Sequence, residues 1–177
     1  DLPWQEPLEE WRSERLVKVI RGISRHVVRF VEYGGALYAV KELPERPARK
    51  EYGLLRSLEE QGLPVVEAVG LVTGREDDLD AVLITRHPEY SLPYRALFAG
   101  RAIPDLRTHL LNAFVELLAR LHLRGFFWGD CSLSNTLFRR DAGALSAYLV
   151  DAETGELHTR LSDGQRSYDL DIARLNV

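Results

Sequence analysis

Apolar positions along the chain follow two periods, and the switches between them mark its elements. At the start, Trp4 and then Leu8 and Trp11 of QEPLEEWRSER recur every three to four residues, which predicts a short helix over residues 5–15 with one apolar stripe docked on the body. LVKVIRG, HVVRFVEYGG and ALYAVKEL then read as three antiparallel strands, rich in β-branched and aromatic residues. Gly22 punctuates them, and Gly34-Gly35 forms a tight hairpin turn. Tyr52, Leu55 and Leu58 return to helical spacing in ARKEYGLLRSLEEQG, and Gly62 followed by Pro64 ends that helix. VVEAVGLV and AVLITR add two strands around the polar loop TGREDDLD.

The second half opens on HPEYSLPYR, whose prolines suggest a linker between two lobes. In LRTHLLNAFVELLARLHLRG, Leu110, Leu111, Phe114, Leu117, Leu118 and Leu121 predict the clearest helix in the chain, stopped by Gly125. A polar loop, FFWGDCSLSN, follows at once; NTLFRR, a DAG turn and LSAYLVD then form a hairpin. The closing QRSYDLDIARLNV reads as a helix that has barely begun. The expected organisation is an N-terminal helix over 1–15, a strand-rich lobe over 16–90 and a second, partial lobe over 91–177, without internal repeats.

Composition narrows the class. A chain of 177 residues, 45% hydrophobic and 28% charged, belongs among globular proteins. A net charge of -4 gives no overall basic footprint for nucleic acid. The single cysteine, Cys131, excludes an intrachain disulfide and suits a reducing compartment. No apolar run approaches the roughly 18–20 residues that span a bilayer, and DLPWQEPLEEW is not a signal peptide, so a cytoplasmic location is expected. The absence of methionine suggests a piece of a longer chain.

Four polar sites stand at the ends of apolar elements, where a rigid scaffold can aim them into a cleft: Lys41, Glu51, Asp130 with Asn135, and Asp151. Each has a plainer reading. Lys41 could lie on a solvated strand face, Glu51 could complement a helix N-terminus, and the Asp130–Asn135 loop could be turn chemistry alone. A carboxamide and a carboxylate sharing one point are also the hard oxygen donors that Mg²⁺ prefers.

Taken in order, the AVK lysine, the helix glutamate, LHLRGFFWGDCSLSN and VDAE resemble the protein-kinase-like superfamily from about Leu16 to Asp171. Protein kinases usually place Arg before the catalytic aspartate and Lys two residues after it. This chain has Gly129 and Ser132 there, which is similar to small-molecule and lipopolysaccharide kinases, and to an uncharacterised bacterial kinase-like family with segments like LSNTLFRRDAG and LVDAETGEL.

The resemblance implies an α+β, two-lobed kinase-like fold: an antiparallel five-stranded N-lobe with one helix, then a short, truncated helical C-lobe with the catalytic hairpin. It implies ATP and Mg²⁺ as cofactors, and a small-molecule, glycan or lipid-linked acceptor. Lys41 would hold the α- and β-phosphates with Glu51 as its partner, Glu59 or Glu60 being the alternatives; Asp130 would orient or deprotonate the acceptor hydroxyl. Asn135 and Asp151 would hold the metal, with Glu153 a further ligand or a turn residue. His122 and Asp169 would brace the catalytic loop, and Thr85, Arg86 and His87 fall at the adenine-binding hinge.

In place of GxGxxG the chain offers RGISRHV, so Gly22 would be joined by the side chains of Ser24, Arg25 and His26 at the phosphates. That departure also admits a pseudokinase-like nucleotide-binding or regulatory module. A third reading makes Cys131 a nucleophile beside His122 or His26.

Overall fold

The computed structural model describes residues 2–19, 24–99, 104–141 and 144–176. Five strands, β1 (Leu16–Val17), β2 (Val27–Tyr33), β3 (Ala36–Leu43), β4 (Glu67–Val72) and β5 (Ala81–Arg86), form one antiparallel sheet in the order β1-β2-β3-β5-β4. Gly34 and Gly35 both take positive φ, 59° and 77°, which turns β2 tightly into β3 with the hand that twisted strands need.

Helix α1 (Glu45–Glu60) begins before the expected alanine. Pro47 lies in its first turn, where a missing N–H costs no intrahelical bond, so the proline is no barrier. Ala48, Glu51, Leu55 and Leu58 make its buried stripe. Starting at Glu45 puts Glu51 well past the first turn, so its position serves the stripe and not the helix dipole.

No α-helix forms over residues 5–15; the segment holds only a three-residue 3-10 turn, Leu8–Glu10. The carbonyls that a helix would have consumed are taken by Arg75, whose Nε donates to Trp4 O at 2.7 Å and whose Nη2 donates to Glu6 O. The docking expectation holds in a different backbone. Leu8 and Trp11 are buried with Val31, Val40 and Val82, and Trp4 packs edge-on against Trp11.

Arg75 also donates to Asp80 O at 2.6 Å and pairs with Glu42, its side chain 1% exposed. Truncating it leaves Glu42 short of its partner charge and the Trp4 and Asp80 carbonyls without that donor, while Glu6 O keeps the Trp11 indole N–H. Arg75→Ala should therefore cost about 3–5 kcal/mol, read as a lowered urea midpoint, and should expose residues 2–11 to proteolysis. A loss below about 1 kcal/mol would mean that apolar docking alone holds the strap.

In the second half, HPEYSLPYR is more than a linker. It supplies β6 (Ser91–Pro93) and opens α2 (Tyr94–Ala99). β6 is an edge strand on β8 (Thr136–Asp141), with Leu92 opposite Phe138, and an edge tolerates Pro93 because no ladder donor is required on its free side. β9 (Ala144–Leu149) completes that sheet as the second arm of the predicted hairpin. β7 (Phe126–Phe127) pairs with β10 (Glu156–Leu157).

Helix α3 spans Leu106–Leu123. It stops at Gly125, whose φ is +77° and where a Cβ would lie 1.9 Å from the His158 carbonyl oxygen. Helix α4 (Asp163–Leu175) is fully formed, opened by a reciprocal capping box between Ser162 and Gln165. Its apolar period is weak because one of its buried positions is Asp169.

A continuous core runs from Leu43 and Leu55 through Leu117, Leu121 and Trp128 to Leu149, joining the two halves. Val66 N–H donates to Leu149 O and Leu149 N–H to Pro64 O, each at 2.9 Å, which sets the halves in register around the cleft. Among the described residues no helix is long and apolar enough to cross a membrane.

Candidate active site

One cleft lies between the five-stranded sheet and the β8–β9 hairpin, and strand alternation decides what enters it. Lys41 faces it from β3 beside Ala39, with Val28 and Phe30 from β2 above. Lys41 Nζ sits 2.9 Å from Glu51 Oε2, 3.0 Å from Asp151 Oδ2 and 3.5 Å from Glu153 Oε2. Glu51 is 1% exposed and its other oxygen accepts from the Ala152 N–H at 3.3 Å. Glu59 and Glu60 instead pair with Arg56 on the outer face of α1, so Glu51 is the glutamate that meets Lys41.

Three carboxylates crowd around one ammonium. Burial, followed by the Asp151 charge, pushes Glu51 up to about 7 against the pull of Lys41. Burial lowers Lys41, but the charges of Glu51 and Asp151 outweigh it and carry the ammonium above its ordinary range. Lys41 thus stays charged.

The polar loop closes the far side. Gly129 takes φ +77° and Ser132 accepts from the Asn135 N–H, so the chain turns sharply into the 3-10 turn Leu133–Asn135. Asn135 Nδ2 donates to Asp130 O at 3.1 Å and to Asp130 Oδ2 at 3.0 Å. The loop is therefore more than turn chemistry: Asn135 lines the cleft together with Asp151, and its side chain holds the Asp130 carboxylate.

Beneath the loop lies Asp169, 0% exposed. Its Oδ2 accepts from His122 Nε2 and Trp128 N–H, each at 2.9 Å, and its Oδ1 from Gly129 N–H at 2.7 Å. Burial pushes Asp169 up, yet these donors and the Cys131 thiol together hold it below its ordinary range. Cys131 is itself fully buried, and burial with the Asp169 and Asp130 charges pushes its thiol far up, which removes the nucleophile reading.

Glu153 N–H donates to Asp151 Oδ1 at 3.0 Å, while the Glu153 carboxylate meets His26 Nε2 at 2.8 Å. Arg25 Nη2 reaches Asp130 Oδ2 at 3.4 Å. Ser24 lines the cleft, as do Thr85 and His87. Arg86 does not: it pairs with Glu67 at 3.7 Å on an exposed face, as the next residue on an alternating strand must. His87 N–H is bonded to Leu37 O at 2.8 Å, so that donor belongs to the sheet. Gly22 lies outside the described residues.

The cleft's apolar walls were not anticipated from sequence. Val28 and Ala39 line one side, Leu83 the back, and Leu137 and Val150 the other side. Their only signal was strand alternation, since residues sharing the Lys41 face must point where it points.

Comparison with known proteins bears on the family and the fold. The family model described as Lipopolysaccharide kinase (Kdo/WaaP) family matches residues 32–176. A solved structure described as "WaaP in complex with acyl carrier protein" is similar with a TM-score of 0.65 and 18% identity, over 96% of this chain and 73% of that one. At that identity the likeness is one of fold, a mixed α+β kinase-like fold with a five-stranded antiparallel N-lobe sheet and helix. No curated protein matches the chain.

Proposed function

The chain belongs to the lipopolysaccharide kinase (Kdo/WaaP) family, a family of phosphotransferases, and on that premise we propose that it transfers the γ-phosphoryl group of ATP to a hydroxyl of a sugar, lipid-linked sugar or other small molecule. The observation that carries the reading is the convergence of Lys41, Asn135 and Asp151 on one apolar-walled cleft, with Glu51 behind Lys41 and Asp130 held by Asn135 at its edge. Gly129 and Ser132, in the places where protein kinases carry Arg and Lys, support a small acceptor over a protein one.

The apolar walls take the adenine, which turns an aromatic face to Val28, Ala39, Leu137 and Val150. Lys41, fixed by Glu51, presents a preorganised ammonium to the α- and β-phosphates. The acceptor oxygen bonds to the γ-phosphorus as its bond to the ADP oxygen breaks, and Asp130 takes the hydroxyl proton.

The donor set fits Mg²⁺. Glu51, Asp151 and Glu153 offer carboxylate oxygens within 4.8 Å of one another, an excess of negative charge over the single Lys41. With Nδ2 of Asn135 committed to Asp130, Oδ1 is the atom it has to offer a cation. Asp151 and Asn135 would hold the ion, with Glu153 a further ligand; when bound, it offsets charge on the phosphate oxygens.

A thermal-shift titration with ATP and Mg²⁺, together and apart, tests the reading on wild type and Asp151→Ala. Wild type should gain about 2.7 kcal/mol at a hundredfold excess over Kd, and only with metal present; the variant should lose the metal-dependent part. No shift at millimolar ATP would sink the nucleotide site. Binding without transfer of labelled phosphate to any hydroxyl acceptor would favour the regulatory module instead.

A further inference from the structure

The cations around the cleft differ in how firmly they are held. Lys41 Nζ is shared among three carboxylates within 3.5 Å, and Lys50 Nζ donates to the Glu153 carbonyl at 3.1 Å. His26 is engaged by the Glu153 carboxylate. Arg25 differs in both partner and strength. It reaches Asp130 across 3.4 Å, with its side chain 66% exposed and that of Asp130 40% exposed, a long and solvated pair that is easily exchanged.

The loop that carries Asp130 brings no positive side chain of its own, since Cys131, Ser132, Leu133 and Ser134 follow it. Ser132 is nearly buried and its hydroxyl accepts from the Asn135 N–H. Charge that develops on phosphoryl oxygens at this end of the cleft therefore needs a cation from the opposite side. Arg25, entering from the β1–β2 connection, is the described residue positioned to give it.

We propose that Arg25 exchanges Asp130 for the γ-phosphoryl oxygens when nucleotide is bound, and that it acts on the transition state more than on nucleotide affinity. An arginine pairs with phosphate through two parallel charge-assisted bonds, which a 3.4 Å surface contact does not match. The exchange has two effects. It takes a competing cation off Asp130 Oδ2, which keeps its bond from Asn135 Nδ2, as Asp130 takes the acceptor's proton, and it neutralises oxygens whose charge rises as the bond to ADP breaks and the electron pair passes to the ADP oxygen. Arg25 keeps its own protons throughout. Arg25 thus leaves Asp130 when a phosphoryl group is in place to draw it away.

This inference rests on the phosphotransferase reading, and the test separates their failures. The affinity of Mg·ADP is measured by calorimetry with and without aluminium fluoride, a planar mimic of the phosphoryl group in flight, on wild type, Arg25→Ala and Arg25→Lys. Wild type should bind more tightly with fluoride. Arg25→Ala should bind Mg·ADP within about twofold of wild type but lose at least about tenfold of the fluoride-dependent gain. Arg25→Lys should recover only part, because an ammonium is a point charge and not a fork.

Once an acceptor is known, Arg25→Ala should also lower kcat by about 10³-fold with KM for ATP little changed. Full fluoride gain in Arg25→Ala overturns the proposal, as does equal loss of Mg·ADP and analogue affinity, or a wild type that binds Mg·ADP with no fluoride gain. A wild type that does not bind Mg·ADP overturns the nucleotide reading itself.

Discussion

Asp130→Asn is expected to slow phosphoryl transfer by about 10²–10⁴-fold while nucleotide affinity stays within a few-fold. Asparagine has the same shape and retains an oxygen to accept from Asn135 Nδ2, now at 3.0 Å, so the loop keeps its geometry. What it loses is basicity. A loose transition state, with little proton removal before the phosphorus–oxygen bond to ADP breaks, places the loss toward the lower end of that range. Acceptor-dependent turnover and a parallel nucleotide titration separate the two quantities. Unchanged turnover would remove Asp130 from proton transfer, and a collapse in affinity would make it a nucleotide-site residue.

The second large effect is on stability. Asp169→Ala should cost about 3–5 kcal/mol in urea unfolding, because it strands the buried Trp128 N–H and the part-buried Gly129 N–H and deprives His122 of its partner. Asp169→Asn should be no full rescue, since its amide NH₂ would face groups that are themselves donors. Activity should fall with stability even in the folded fraction, as Gly129 sets the direction of Asp130.

The carboxylate also gives this contribution a pH dependence. Its folded value lies below the ordinary 3.8, so the stabilisation is complete above that value and is lost as pH falls through the lower folded one. Wild type should therefore show an acid-induced loss of stability that Asp169→Ala lacks. Identical acid profiles would mean that Asp169 binds protons equally well folded and unfolded, so that its donors do not stabilise the charge.

Elements with one strong local signal were legible from sequence. Strands β2, β3 and β5 and helix α3 follow from runs whose period needs no partner to be recognised, and the Gly34-Gly35 turn follows from backbone sterics. The N-terminal stripe was legible as a docking face and wrong as a helix, because periodicity reports which side chains are buried and not who takes the carbonyls. Arg75, about seventy residues away, takes them. α4 was under-read for a related reason: hydrophobic pattern cannot register a helix that buries an aspartate.

The candidate site divides along the same line. Residue types, order and spacing along the chain were enough to single out Lys41, Glu51, Asp130, Asn135 and Asp151, since each terminates an apolar element and one family pattern unites them. Which glutamate meets Lys41, which side chains wall the cleft, and that Arg25 and His26 lie on Asp130 and Glu153 are long-range facts. They depend on side-chain contacts that reach across more than a hundred residues, and on a lobe arrangement set by one shared core and two backbone bonds at Leu149. Local chemistry was written in the chain; the partners that give it a purpose were decided only when distant segments packed.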